Sequence, residues 1–302
     1  MFIVKYRKLF YALSILLVAA GITAVSIWGL RPGIDFKGGS LIEVVYTEVR
    51  PDAETLKVSL DSLSIGDSSI RPTGDAGYIV RTGELDPSTH QAVLAALSQN
   101  GKFGLEEKRF NSIGPVLGKE AIQKSYLSIV FVLIAIVLFI TFVFRKVSRP
   151  ISSWKYGLIA IVALAHDVII PIGAFAVMGH FGGVEVDTLF VTALLVILGF
   201  SIHDTIVVFD RIRENLHRNT ERHEKKHFST IVGESVNQTI VRSINTSLTT
   251  IIAVLALYVF GPEMTKHFSL ALLIGITAGT YSSIFIGSPL LVTLEAFQGR
   301  KK

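Results

Sequence analysis

The chain has 302 residues, of which 50% are hydrophobic and only 18% are charged, and its mean hydropathy is +0.54. Soluble domains carry about 25% charged residues, so this composition excludes an ordinary soluble domain, a disordered chain and a collagen-like chain. The absence of cysteine excludes disulfides, thiolate metal sites and a cysteine nucleophile. The formal charge of +5 matters less than where the basic residues lie. We therefore predict an integral membrane protein.

Six apolar segments reach the length of about 17–25 residues that a membrane-spanning helix needs. They cover residues 9–30, 126–144, 156–178, 188–209, 239–260 and 268–292. The first segment is longer than the apolar core of a signal peptide, and no small-residue cleavage pattern follows it. We predict a retained first helix within residues 1–30 and five further helices, with their loops, within residues 125–302.

Basic residues predict the orientation of these helices. They cluster before the first helix, in the loops after the second and fourth helices, and at the end of the chain. They are Lys5, Arg7, Lys8, Arg145, Lys146, Arg149, Lys155, Arg211, Arg213, Arg218, Arg222, Lys225, Lys226, Arg300, Lys301 and Lys302. All four regions fall on one side of the membrane, so the positive-inside rule predicts that both termini are cytoplasmic.

Residues 31–124 are then extracytoplasmic, and their pattern predicts a small α+β domain. Strands are expected at residues 41–49, 69–72, 78–82 and 103–111, and helices at 52–63 and 86–97. Asp86 followed by Pro87 is typical of a helix start. The order βαββαβ predicts a ferredoxin-like sandwich. This segment has 11 basic and 13 acidic residues, so it offers no basic surface for nucleic acid.

Three charged residues lie inside the predicted membrane helices. Asp167 is in the middle of the third helix, Asp204 near the cytoplasmic end of the fourth, and Arg242 near the cytoplasmic start of the fifth. The helical rise places Asp204 and Arg242 at similar depths, about 5–8 Å inside the boundary. A charge buried in lipid costs at least ~2.5–3.5 kcal/mol, so we predict that these two residues pair. The pair is either a static packing contact, with Asp167 hydrogen-bonded to a neighbouring hydroxyl or histidine, or part of a proton path. We favour the proton path because ionisable groups within the membrane are usually functional.

Two histidines directly precede these acids. His166 and His203 could titrate near neutrality. Neighbours on a helix point about 100° apart, so we expect packing or interface roles rather than contacts with the adjacent aspartates. His203 stays a candidate for the proton path. A paired-aspartate protease is disfavoured, because Asp167 and Asp204 lie at different depths and lack a Gly-x-Gly-Asp context.

Other motifs predict structure rather than chemistry. Residues 114–120 lack the spacing and the hydroxyl of a phosphate-binding loop, so we predict no nucleotide site, no metal and no cofactor. Asp210 and Arg211 begin a charged helix end, where ion pairs can organise the following loop. Asp35, Gly38 and Gly39 lie between the first helix and the first strand, and we interpret them as a structural turn.

Taken together, these motifs resemble the SecD/SecF family, within the resistance–nodulation–division superfamily, and its SecF-like members most. The matching stretches are residues 33–39, 165–167 and 199–215, with Arg242 and the polar residues that follow it. The resemblance covers essentially the whole chain. His203 departs from it, because the family commonly has asparagine at that place.

The resemblance implies a non-enzymatic subunit of protein secretion in the bacterial cytoplasmic membrane. A SecD-like subunit would complete a pseudo-symmetric twelve-helix unit beside the SecYEG channel, with YajC and YidC as further candidate partners. The unit would use the transmembrane proton gradient to act on the unfolded secreted polypeptide at the outer side. Asp204 and Arg242 would be the coupling pair, and Asp167 a supporting acid. Two alternatives stay open: a half-transporter that exports small amphiphiles, and a non-transporting scaffold for the export machinery.

Overall fold

The computed structural model describes residues 2–63, 65–143, 152–224 and 226–299. Two compact units make up the chain: an α+β domain, Pro32–Tyr126, and a helical unit, Met1–Arg31 with Leu127–Lys302. Phe144, where the second apolar segment was predicted to end, lies outside the described residues. So do seven of the basic residues used to predict orientation, namely Arg145, Lys146, Arg149, Lys225, Arg300, Lys301 and Lys302.

The elements follow one another along the chain without long irregular connections in the described ranges. They are α1 (Phe2–Lys5), α2 (Arg7–Trp28), α3 (Ile34–Lys37), β1 (Gly39–Tyr46), α4 (Ala53–Asp61), β2 (Ser69–Thr73), β3 (Gly77–Thr82), α5 (Pro87–Leu97), β4 (Leu105–Ile113), α6 (Pro115–Val143), α7 (Ser153–Gly182), α8 (Thr188–Glu221), α9 (Phe228–Phe260), α10 (Glu263–Ser282), a π-helical segment (Ser283–Gly287) and α11 (Ser288–Gly299).

Six helical stretches among the described residues are long and apolar enough to cross a membrane, which confirms the predicted number. The last of them combines α10, the π-helical segment and most of α11. Three helices extend furthest beyond their apolar segments: α6 begins at Pro115, α8 continues to Glu221, and α9 begins at Phe228. Hydropathy detects only the apolar part of a helix, so it missed these polar turns.

The α+β domain contains one antiparallel sheet with the strand order β2-β3-β1-β4. In the central strand β1, Ile42 lies opposite Val80 of β3 and Phe110 of β4. With α4 after β1 and α5 after β3, this confirms the predicted ferredoxin-like order. Strand bounds differ from the prediction by a few residues: β1 ends at Tyr46 rather than 49, and β4 runs to Ile113 rather than 111.

One face of the sheet forms the core of the α+β domain with α4 and α5. Ile42, Val80, Leu56 and Leu97 are fully buried there. The amphipathic spacing of both helices therefore serves to cover the alternating apolar face of the strands.

Asp86 caps the N-terminus of α5. Its carboxylate accepts hydrogen bonds from the backbone N–H groups of Thr89 (2.8 Å) and Ser88 (2.9 Å) and from both of their hydroxyls. These bonds, the backbone bond from Thr89 first, lower the pKa of Asp86 to about 2. Pro87 occupies the first turn, where its missing N–H leaves no helix hydrogen bond unmade.

Two glycines form a tight connection into β1. Gly38 has φ +80° and Gly39 has φ +122°, values that side-chain-bearing residues rarely adopt. A Cβ atom on Gly39 would lie 2.7 Å from the carbonyl oxygen of Thr82 on β3. The turn therefore needs glycine both for its backbone conformation and for the close approach to the neighbouring strand.

Within the helical unit, small residues allow close helix crossings. A Cβ atom on Gly173 of α7 would lie 2.3 Å from the Cα atom of Gly21 of α2. Lipid supplies no hydrophobic drive between helices, so such close van der Waals packing is a main source of helix association.

Candidate functional site

The two buried acids of the helical bundle, Asp167 and Asp204, lie where α7, α8, α9 and α10 pack together. Helix α10 approaches α8 closely because it carries Gly275 and Gly279 four residues apart. A Cβ atom on Gly279 would lie 3.0 Å from the Cβ atom of Ser201 and 3.5 Å from the Asp167 Oδ2 atom. This small-xxx-small spacing is typical of tight helix contacts in membranes, and here it brings three helices to one carboxylate.

Asp167 on α7 is completely buried. Its Oδ2 atom accepts hydrogen bonds from the hydroxyl of Ser201 on α8 and from that of Ser282 on α10, the latter at 2.7 Å. Its Oδ1 atom lies 2.8 Å from the Nδ1 atom of His166. Both carboxylate oxygens thus have polar partners, and no lysine or arginine contacts Asp167 among the described residues.

Asp204 on α8 is 6% exposed and is also held by serines. The Ser243 hydroxyl on α9 donates to Oδ1 at 2.6 Å, and the Ser283 hydroxyl donates to Oδ2 at 2.7 Å. Nearby, the hydroxyl of Thr280 donates to that of Ser247 at 2.6 Å and links α10 to α9. Together these side chains form what we call the polar seam. Its members are Ser201, Ser243, Ser247, Thr280, Ser282 and Ser283.

The predicted contact between Asp204 and Arg242 is not present in this structure, so that prediction was wrong. Asp204 contacts Ser243, the next residue along α9, whereas the Arg242 side chain is exposed on the surface of the helical unit. Equal depth along two helices says nothing about rotation about the helix axis, and one residue changes that rotation by about 100°. The fifth helix was therefore the right partner for Asp204, but the residue was not.

One of the two histidines also differs from the prediction. His166 does contact its adjacent acid, because its buried ring turns so that Nδ1 reaches the Asp167 carboxylate. The ring also stacks on Tyr281 of α10, with 6.0 Å between the centroids. The other ring nitrogen is buried with no hydrogen-bond partner among the described residues. His203, by contrast, is exposed on α8 and does not reach either acid.

Ser282 and Ser283, like Ser201 and Thr280, are site residues that the sequence did not reveal. Ser282 and Ser283 lie at the junction where α10 changes into the π-helical segment, and each donates to a different acid. Short π-helical turns occur frequently at functional sites. Two adjacent serines inside an apolar helix were the available signal, but serine is common in membrane helices and so gives little warning.

The charged end of α8 forms a network of ion pairs. Asp210 pairs with Arg213 at 2.9 Å, and Arg211 pairs with Glu214 at 2.7 Å. Glu214 also pairs with Arg218 one turn further along. These partly exposed pairs lie outside the apolar part of the helix, where each contributes only about 0–1 kcal/mol.

The described residues contain no cluster of three or more histidine, aspartate or glutamate side chains that could hold a metal ion. What the bundle does offer is two separate buried carboxylates, each with hydroxyl donors from other helices. Such an arrangement can accept and release protons, because a carboxyl group and a hydroxyl can each act as donor or acceptor.

Comparisons with known proteins agree with this architecture. Residues 93–296 match the family described as "Protein export membrane protein SecD/SecF, C-terminal", and residues 29–48 match the "SecD/SecF GG Motif". The chain belongs to the SecD/SecF family. The first match includes both buried acids and the polar seam, and the second includes Gly38 and Gly39.

The relatives described next are SecF subunits, and the match covers nearly the whole length of each. Protein translocase subunit SecF from Thermobaculum terrenum is 42% identical, covering 97% of this chain and 93% of the relative. SecF from Anaerolinea thermophila is 38% identical, covering 97% and 94%. The chain is thus a SecF-type accessory subunit of the translocase and a multi-pass membrane protein.

A solved structure has the same fold. It is that of SecDF, a translocon-associated membrane protein from Thermus thermophilus, with a TM-score of 0.82 and 29% identity. The match covers 97% of this chain but only 38% of the SecDF chain. This SecD/SecF member therefore corresponds in length to a part of that longer polypeptide.

The close contact of α10 with α8 generates a stability prediction. A Cβ atom on Gly275 would lie 2.2 Å from the Ile197 Cδ1 atom, so Gly275→Ala should destabilise the helical unit by about 1–3 kcal/mol through overpacking. Ile197→Ala should relieve the clash, so the double variant should be less destabilised than the sum of the single variants. Thermal unfolding in detergent measures all three. Additive losses would show that the two residues do not press on each other.

Proposed function

We propose that this chain works with a SecD-like subunit beside the SecYEG channel and uses the transmembrane proton gradient. It would promote late translocation and the release of secreted polypeptides on the outer side of the membrane. Both termini would be cytoplasmic and the α+β domain extracytoplasmic, because the sequence clusters its basic residues on one side. The observation that supports this proposal most is the presence of two buried acids that, among the described residues, are bound by serine hydroxyls and by His166 rather than by lysine or arginine.

Among the described residues neither acid contacts a lysine or an arginine, and this favours proton coupling over a static ion pair. An ionised carboxylate inside a membrane protein is expensive, and a nearby lysine or arginine is the usual compensation. Hydroxyl donors compensate only in part, so taking up a proton is an accessible way for Asp204 to lower its energy. An acid that gains a proton from one side of the membrane and loses it to the other can drive a cycle.

The energy available fits such a cycle. One charge that crosses a membrane potential gains about 2.3 kcal/mol per 100 mV. A bias of that size is enough to shift two conformations whose free energies differ by a few kcal/mol. Repeated proton cycles would then move or retain a polypeptide in small steps.

The exposed face of α9 supports a partner chain within the membrane. Arg242, Asn245 and Thr249 lie at helical spacing on this face, and all three are exposed in the isolated chain. An arginine that faces lipid is costly, so we propose that a SecD-like chain covers this face and presents an acidic or polar group to Arg242. In this arrangement Arg242 would act across the subunit interface rather than on Asp204 directly.

Export of small amphiphiles receives little support from the α+β domain. Its groove between α4 and α5 has a volume of about 580 Å³, but hydroxyl, amide and alanine side chains line most of it. Sites for apolar ligands are usually enclosed and lined by large hydrophobic side chains. The scaffold alternative is decided by experiment.

The first functional prediction concerns Asp204. The assay uses inverted vesicles that contain the channel, the SecD-like partner and this chain, and it measures export after ATP is exhausted and a proton gradient is imposed. Asp204→Asn should reduce this gradient-driven export to the level measured without a gradient. The amide keeps the size of the side chain but cannot exchange the proton. Glu221→Gln, which removes an exposed charge from the same helix, should export normally. Equal export by wild type and Asp204→Asn, at equal assembly, would mean that the chain is a scaffold.

The second prediction concerns Arg242. Arg242→Ala should weaken co-purification with the SecD-like partner and lower gradient-driven export, because it removes the charge from the proposed interface. Arg242→Lys should retain part of both, since it keeps the charge without the bidentate geometry. Arg218→Ala, at the exposed end of α8, is the matched control. Unchanged partner binding and export in Arg242→Ala would contradict an interface role for this arginine.

A further inference from the structure

We propose that Ser282 and Ser283 are positioning residues that allow Asp167 and Asp204 to change protonation state without losing a hydrogen bond. This inference rests on the proposed proton coupling and names the groups that would make it reversible. Neither serine would hold the transported proton. Each would instead reorient its own hydroxyl as the neighbouring carboxylate gains or loses one.

The geometry gives each serine hydroxyl two acceptors. Ser282 Oγ lies 2.7 Å from Asp167 Oδ2 and 3.2 Å from the carbonyl oxygen of Gly279. Ser283 Oγ lies 2.7 Å from Asp204 Oδ2 and 3.1 Å from the carbonyl oxygen of Thr280. In both cases the second acceptor is the backbone carbonyl three residues earlier in the same helix. The same choice between a carboxylate and a carbonyl therefore occurs twice, at consecutive residues.

A serine hydroxyl with two acceptors can stay hydrogen-bonded while the neighbouring carboxyl group binds and releases a proton. When Asp204 is ionised, the Ser283 hydroxyl donates to Oδ2. When a proton from the gradient binds Oδ2, the new O–H bond donates to Ser283 Oγ, and the serine hydrogen turns to the Thr280 carbonyl. No bond of the serine breaks, and release of the proton reverses the rotation. A buried group left without a partner would cost free energy in one of the two states, and this exchange avoids that cost.

The backbone connects the two exchanges. Ser282 is the last residue of α10 and Ser283 the first of the π-helical segment, and the Ser288 hydroxyl donates to the Ser283 carbonyl at 3.2 Å. A shift of this junction would move both hydroxyls together. Asp167 and Asp204 would then respond to each other although different helices carry them.

Few other charges surround the two acids. His166 on α7 contacts the Oδ1 atom of Asp167. Its ring also stacks on Tyr281, which lies on α10. On the α9 side the residue that contacts Asp204 is Ser243, and the adjacent Arg242 is exposed. Within the described ranges, His166 is the one titratable side chain that contacts either carboxylate.

Infrared difference spectroscopy tests the proposal directly. The full chain, assembled with its SecD-like partner in lipid nanodiscs, would be compared in mildly alkaline and mildly acidic buffer. Asp204→Asn and Asp167→Asn assign the C=O bands of the two protonated carboxyl groups. Ser283→Ala should shift the Asp204 band to higher wavenumber, because it removes the partner on Oδ2. Ser282→Ala should shift the Asp167 band less, because Ser201 still binds the same oxygen.

The chain offers a matched control on the same helix. Ser269 of α10 is fully buried, and its hydroxyl has no hydrogen-bond partner among the described residues, so Ser269→Ala should move neither band. If Ser283→Ala fails to assemble, Ser283→Cys keeps a similar volume with a weaker donor and should shift the band in the same direction. The proposal would be overturned if the Ser282 and Ser283 variants left the Asp167 and Asp204 bands in place. It would also be overturned if Ser269→Ala moved these bands by the same amount. The absence of any band assigned to Asp204 would overturn it as well.

Export provides the second measurement. Ser283→Ala should lower gradient-driven export about tenfold, as expected for the loss of one hydrogen bond to a charged group, while Ser269→Ala should stay near wild type. Normal export by Ser283→Ala would contradict the positioning role. Normal export by Asp204→Asn would instead refute the proposed proton coupling, and the infrared bands would still show whether the serines bind the two acids.

Discussion

The requirement that governs this structure is the satisfaction of two buried carboxylates inside an apolar helical bundle. Asp167 is completely buried, so every hydrogen bond to it must come from other side chains of the protein. The chain meets this requirement with hydroxyls from α8 and α10 and with one imidazole. The positions of the helices around the acids therefore determine which hydrogen-bond donors each carboxylate has.

Small residues on α10 make this arrangement possible. Gly275 and Gly279 allow the helix to approach α8, and the two serines that follow reach a different acid each. The change from α-helix to π-helix occurs at the same place. Close packing, hydrogen bonding and a local irregularity thus coincide within about two turns of one helix, and a conformational change in this region would affect both acids.

Much of the fold could be predicted from the sequence, because its signals are local. Apolar length gave the six membrane segments, and the alternation of short strands with two helices gave the α+β domain. Asp86 and Pro87 marked the start of α5 correctly, since an N-cap and a first-turn proline depend only on neighbouring residues. The polar ends of α6, α8 and α9 were missed because they lie outside the apolar signal.

The site was predicted less well, for a physical reason. Depth along a helix follows from counting residues, so Asp204 was assigned the correct neighbouring helix. Rotation about the axis depends on packing, and Ser243 rather than Arg242 turned out to face the acid. His166 was misjudged in the same way, because the flexible ring reaches an adjacent side chain that the helix geometry alone would separate. The contacts of Ser282 with Asp167 and of Ser283 with Asp204 depend on how the helices pack in three dimensions, so the sequence alone could not predict them.

Proton coupling requires that the carboxyl group of Asp204 gains and loses a proton during the working cycle. Dicyclohexylcarbodiimide reacts with protonated carboxyl groups within membranes, and mass spectrometry locates the modified residue. The measurement compares labelling of the assembled complex in vesicles with an imposed proton gradient and after the gradient is collapsed. Asp204 should be labelled, and the labelled fraction should change when the gradient is removed. If Asp204 stays unlabelled in both conditions, or is labelled to the same extent in both, the proposed proton coupling through Asp204 is contradicted.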